Sequence, residues 1–134
     1  MIGLDTCVLA RHILDDDPIQ SPIANAFLAM LTPRRQGYIS LGVLLELTWV
    51  VQRWHSRQEL IRDVSNLLDD ERIVVESTPL VYRALSVYAS RNIGFGDCLI
   101  GCVAQARGCE YTGTFDKAAA RTPGFRDIAT LAQV

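Results

Sequence analysis

The chain has 134 residues, with 49% apolar and 21% charged side chains, and these values suit one compact domain. They leave no room for two cores and exclude a disordered tail or a coiled coil. Thirteen Lys and Arg against fifteen Asp and Glu give a formal net charge of -2, which taken at face value argues against a basic nucleic-acid-binding module.

Residues 2–4 are a short apolar run read as a buried strand ending at Asp5. A helix follows over 6–14, and the Asp15, Asp16, Asp17 triplet before Pro18 marks a loop. A second helix spans about 18–31, with Pro18 suited to its first turn. Residues 32–37 form a turn and 38–40 a short strand. From 42 to about 53 apolar residues lie all round the helix, so it is expected to be central. Ser56 with Glu59 three residues on is a capping box opening a helix that ends near Leu68. Residues 72–76 read as a strand and 78–91 as a helix. Gly94, Phe95 and Gly96 lead into a helix over 97–107, stopped by Gly108. A strand at 111–114, a short helix at 117–121 and a last strand at 125–129 complete the chain.

Strand and helix alternate, which implies an α/β fold with a mainly parallel central sheet in a single domain, 1–134. In such sheets function gathers at the carboxyl ends of the strands. No basic segment followed by an apolar stretch opens the chain, and the apolar tract 39–51 is broken by Glu46 and falls short of the ~20 residues that span a bilayer. The expected location is the cytoplasm, with no membrane partner. Cys7, Cys98, Cys102 and Cys109 form no CxxC pair and are expected to be free, buried thiols. His12 and His55 have no obvious partner and are expected to be structural or exposed.

Four acids stand in unusual surroundings. Asp5 ends an apolar strand, Glu46 lies between Leu45 and Leu47 within an apolar helix, Asp97 follows Gly-Phe-Gly, and Asp116 follows a strand. An isolated carboxylate among apolar groups is costly unless paired or metal-bound. Lys117 is the chain's only lysine, so cations to pair with them are few. Shared coordination of a hard divalent cation, Mg²⁺ or Mn²⁺, accounts for all four, and the absence of a His/Cys set argues against zinc. Helix capping is the competing reading for Asp5, Asp97 and Asp116. Glu46, in mid-helix, has no capping role and is expected to face inward or toward a cleft.

Asp5-Thr6 after a strand, Ile39-Ser40 with Leu45-Glu46-Leu47, Gly96-Asp97-Cys98-Leu99-Ile100 and Thr114-Phe115-Asp116 together resemble the PIN domain, most nearly its VapC-type toxin members. The resemblance covers essentially the whole chain and extends to Lys117 through Arg121 and Pro123-Gly124-Phe125. It implies an α/β/α sandwich with four to five strands and a metal-dependent ribonuclease acting as the toxin of a toxin–antitoxin pair. Asp5, Glu46, Asp97 and Asp116 would form the acidic quartet holding Mg²⁺, with Thr6, Ser40 and Thr114 as supporting hydroxyls. It further implies a homodimer and a cognate antitoxin, with DNA reached only through that antitoxin. Cys7 stands where such proteins more often have Asn, Ser or Thr, and Gly94 and Gly96 stand where some carry a further acid.

Arg supplies twelve of the thirteen basic residues and can fork onto phosphate and stack on bases. Arg11, Arg91 and Arg121, and beyond them Arg34, Arg35 and Arg126, are the candidates for RNA contact. With the quartet set aside, 11 acids face 13 basic residues, so the negative balance resides in the site. Weak RNA affinity without metal and measurable affinity with it are expected. A receiver-like phosphoacceptor module is one alternative, although it usually has adjacent acids after the first strand. A PIN-like RNA-binding protein without catalysis is the other.

Overall fold

The computed structural model describes residues 1–131, so the last three residues of the expected domain lie outside it. Two compact units divide the chain at Thr78 and Pro79.

The first unit runs β1 (Ile2–Gly3), α1 (Thr6–Leu14), α2 (Gln20–Ala29), β2 (Gly37–Ile39), α3 (Leu41–Val51), α4 (Arg57–Asp69) and β3 (Ile73–Val75). Its three strands form one parallel sheet in the order β1-β2-β3, with Ile2 opposite Gly37 and Tyr38 opposite Val74. Gly37 is required where it stands, because a Cβ there would lie 2.7 Å from Leu4 Cδ1. Leu9, Ile39, Leu44, Leu47, Val51, Leu60 and Val64 fill the core at 2% exposure or less.

Local chemistry sets the helix ends. Asp17 Oδ1 accepts from the N–H groups of Ile19 and Gln20 at 2.9 and 2.8 Å, so α2 starts at Gln20 rather than at Pro18. Ser40, expected to end a strand, instead caps α3 by accepting from Val43 N–H at 3.1 Å. The capping box at α4 forms as expected: Ser56 accepts from Glu59 N–H, and Glu59 Oε1 accepts from Ser56 N–H. Ser56→Ala should therefore cost about 1 kcal/mol, read as a lower urea midpoint with an unchanged slope. His55 and His12 both have partners, Asp63 Oδ2 and Asn25 Oδ1, each at 2.6 Å from Nδ1.

α3 departs from the central helix expected of an all-round apolar pattern. Leu44, Leu47, Thr48 and Val51 are buried, whereas Glu46 and Trp49 are exposed. One face packs within the unit and the other is open.

The second unit holds α5 (Thr78–Ser90), α6 (Phe95–Ala106), β4 (Thr112–Thr114), a 3₁₀ turn (Ala119–Arg121), β5 (Phe125–Asp127) and α7 (Ile128–Leu131). β4 and β5 pair in parallel, Thr112 opposite Phe125. All the described strand pairs are thus parallel, three strands in one sheet and two in the other. The strand expected to reach Ala129 stops at Asp127, whose Oδ1 accepts from Ala129 N–H at 2.9 Å and opens α7. Phe95 is buried and meets Tyr88 edge-on at 5.8 Å, which draws the start of α6 two residues ahead of the predicted Asp97. Gly108, at φ +83°, follows α6 as its expected stop. All four cysteines are free, but only Cys98 and Cys102 are buried. Cys7 and Cys109 are exposed, contrary to the buried-thiol expectation: Cys7 lines the clefts beside α1, and Cys109 stands past the end of α6.

Candidate active site

Asp5 leaves the carboxyl end of the β1 segment in extended conformation and caps α1, its Oδ1 accepting from Thr6 N–H at 2.7 Å. Its second oxygen faces the Cys7 thiol, Sγ at 3.8 Å from Oδ2. Capping and coordination are compatible, since one carboxylate has two oxygens to offer. Glu46 lies on the exposed side of α3. It lines, with Asp5, Thr6, Cys7, Ala10, Arg11 and Val50, a cleft of about 290 Å³. The first unit thus brings two of the four acids together.

Arg11 projects into the same cleft and is the candidate RNA-contacting arginine that the first unit places beside acids of the quartet. Its guanidinium is oriented by Gln20 Oε1 at 2.9 Å, Asp16 Oδ1 at 3.4 Å and Asp17 Oδ2 at 3.8 Å. Arg34 and Arg35 are exposed in the turn before β2.

Asp97 occupies the third position of α6, so it is not the cap; Gly94 is. Asp116 is exposed, and its Oδ1 accepts from Ala118 and Ala119 N–H at 2.8 and 3.2 Å, capping the 3₁₀ turn. Burial, then the charge of Asp116, pushes the Asp97 carboxyl above the usual carboxylate range. The second unit thus brings the other two acids into electrostatic contact. Arg91 and Arg121 are exposed there, and Arg126 stacks over Tyr111 at 4.7 Å.

The three hydroxyl residues have definite local tasks. Thr6 is buried and its N–H holds Asp5. Ser40 fixes the start of the helix carrying Glu46. Thr114 Oγ1 accepts from Asp116 N–H at 3.0 Å and fixes the turn that carries this acid.

Glu76, missed in the sequence, lies at the carboxyl end of β3 and accepts from Leu41 N–H at 2.9 Å, tying β3 to the start of α3. Burial, then the Glu76 charge, raises the Tyr38 phenol above its ordinary range. A polar residue just past an apolar strand was the only available signal. A second cleft of about 420 Å³, lined by His12, Asn25, Asp63, Asp70 and Arg72 among others, contains none of the predicted site residues.

None of the four acids forms an ion pair among the described residues. Paired, uncompensated carboxylate oxygens are the donor set of a hard divalent cation. No three His, Cys, Asp or Glu side chains among the described residues stand close enough to hold an ion as placed, so the fit rests on the donor chemistry of the two pairs.

The profile of the PIN domain family matches residues 2–124. A VapC ribonuclease of Aquifex aeolicus (strain VF5) is 25% identical over 117 residues, covering 85% of this chain and 86% of that protein. The crystal structure of Mycobacterium tuberculosis VapC20, a sarcin–ricin-loop-cleaving toxin, aligns over 92% of this chain and 96% of its own at 18% identity, with a TM-score of 0.46.

Proposed function

The chain belongs to the PIN domain family, and from that premise we propose that it is a Mg²⁺-dependent ribonuclease of the VapC type. The observation that carries the reading is the pairing of the acids. Asp5 and Glu46 share a cleft, while Asp97 is held half-buried against the like charge of Asp116 without a compensating cation among the described residues. The similarity to the Aquifex VapC ribonuclease supports the same activity. The family match displaces the receiver-like alternative, and intact carboxylates in both pairs favour catalysis over a non-catalytic RNA-binding role.

Asp5 and Asp97 would hold the cation most directly, with Glu46 and Asp116 completing the set directly or through water. When bound, Mg²⁺, or Mn²⁺ in its place, supplies Lewis-acid activation of water and offsets charge on the phosphate. The chain's own residues position the reaction. Thr6 N–H fixes Asp5, Ser40 fixes the helix bearing Glu46, and Thr114 fixes the Asp116 turn. Arg11, held by three side chains, presents a fork for a strand phosphate. Arg91 and Arg121, both exposed, would add contacts to the RNA.

The biological role in this reading is that of a cytoplasmic toxin acting as a single PIN domain. A cognate antitoxin restrains it, and it forms a homodimer. Ile19, Ile23, Phe27 and Met30 are exposed on and beside α2 and offer an apolar face for a protein partner. No helix among the described residues is long and apolar enough to cross a membrane.

Purified chain should cleave RNA in Mg²⁺, lose that activity in excess EDTA and regain it when Mg²⁺ or Mn²⁺ is restored. Cleavage undiminished by EDTA would overturn the metal-dependent reading.

A further inference from the structure

We propose that the open face of α3 is a stacking platform for single-stranded RNA, with Trp49 as its base-binding ring and Arg53 as its cationic partner. The proposal rests on the ribonuclease reading above and names how that site takes hold of its strand.

Residues at i, i+3 and i+4 share one face, so Glu46, Trp49 and Val50 form a stripe along α3. At 1.5 Å per residue, Trp49 lies about 4.5 Å along the axis from Glu46. Arg53, in the turn just past α3, reaches back over the Trp49 ring. The stripe starts inside the cleft, since Glu46 and Val50 line it together with Asp5 and Arg11. Trp49 therefore lies one turn from Glu46 on the same helix face, beside the cleft-lining Val50.

Its environment is unlike that of a core aromatic. Trp49 is 60% exposed, although its helix neighbours Leu47, Thr48 and Val51 are buried. The Arg53 guanidinium carbon lies 6.0 Å from the ring centroid, over its face. This is a cation–π pair in the open, where such contacts contribute about 0.5–1 kcal/mol. A large ring backed by an arginine suits a nucleobase, which stacks on the ring while the guanidinium reaches its phosphate. A purely apolar protein partner fits better on the Ile19, Ile23, Phe27 and Met30 side chains at α2. Single strands present unstacked bases and duplexes do not, so the platform selects single-stranded or looped RNA.

The test uses a property of the composition: the chain has two tryptophans, Trp49 and Trp54, both exposed. Intrinsic tryptophan fluorescence therefore reports on this region without a label. The chain in Mg²⁺ is mixed in a stopped-flow instrument with a mixed-sequence single-stranded RNA oligonucleotide, and separately with the duplex of the same sequence. The expected result is rapid, saturable quenching by the single strand and little by the duplex. In steady-state cleavage, Trp49→Ala should raise KM about tenfold with kcat retained, and Trp49→Phe should restore most of the loss. Absence of quenching, with KM unchanged in Trp49→Ala while the parent chain cleaves, overturns the platform and leaves the ribonuclease reading standing. An unchanged KM with a lower mass by light scattering overturns it in favour of a face covered by a second copy. If the parent chain shows no Mg²⁺-dependent cleavage, the ribonuclease reading itself falls.

Discussion

Asp5→Asn should lower RNA cleavage by about a thousandfold while leaving the protein as stable as its parent. The loss corresponds to roughly 4 kcal/mol of transition-state stabilisation, the scale expected when a site that works by cation binding loses a charged ligand. Stability should hold because Asn caps a helix about as well as Asp. The amide oxygen can still accept from Thr6 N–H, the bond Asp5 makes at 2.7 Å. Asp5 is also exposed, so the change neither opens a cavity nor buries a polar group. The variant thus separates the charge of Asp5 from its capping role. Equal thermal midpoints with activity lost assign the charge to catalysis; retained activity assigns Asp5 to capping alone.

Asp97→Asn should abolish cleavage to a similar extent and raise the thermal midpoint by about 1–3 °C. Burial and the neighbouring Asp116 charge both disfavour the ionised Asp97. A carboxyl whose folded pKa lies above its unfolded value binds more protons in the native state, so stability falls as pH rises between the two values. The parent chain therefore carries an electrostatic cost at neutral pH that the amide lacks. The advantage of Asp97→Asn should shrink as pH drops through the folded pKa of Asp97, where the parent's own carboxyl becomes neutral. Melting curves of both proteins from neutral to acidic pH check the sign. A neutral-pH midpoint below the parent's would show that Asp97 supports the fold rather than straining it.

Much of the architecture was legible because its signals are local. Ser56 and Glu59 announce α4, Gly108 stops α6, and short β-branched or apolar runs mark the parallel strands. The acids were legible as misfits among apolar neighbours. Glu46 stands out this way and does line a cleft, but the helix that carries it is not the central one its apolar pattern suggests. An all-round apolar pattern has no polar side to mark an open face, so exposure of Glu46 and Trp49 could not be read from periodicity. The glycines flanking Phe95 point to a helix start at Asp97, whereas α6 starts two residues earlier, with the Phe95 ring buried edge-on against Tyr88. Arg11 could be named as a candidate but not placed, since its position depends on Gln20, Asp16 and Asp17 folding back onto it. Glu76 gave almost no signal, because its task is a hydrogen bond to Leu41, 35 residues away.

The central claim is that Asp5, Glu46, Asp97 and Asp116 act together on one class of cation. Its most direct test is a crystal of the chain soaked in Mn²⁺, with anomalous diffraction recorded at the manganese edge. The account predicts anomalous density at coordination distance from carboxylates of the quartet, lost beside residue 5 in crystals of Asp5→Asn. Manganese bound elsewhere, or a quartet that takes none at saturating Mn²⁺, would contradict it.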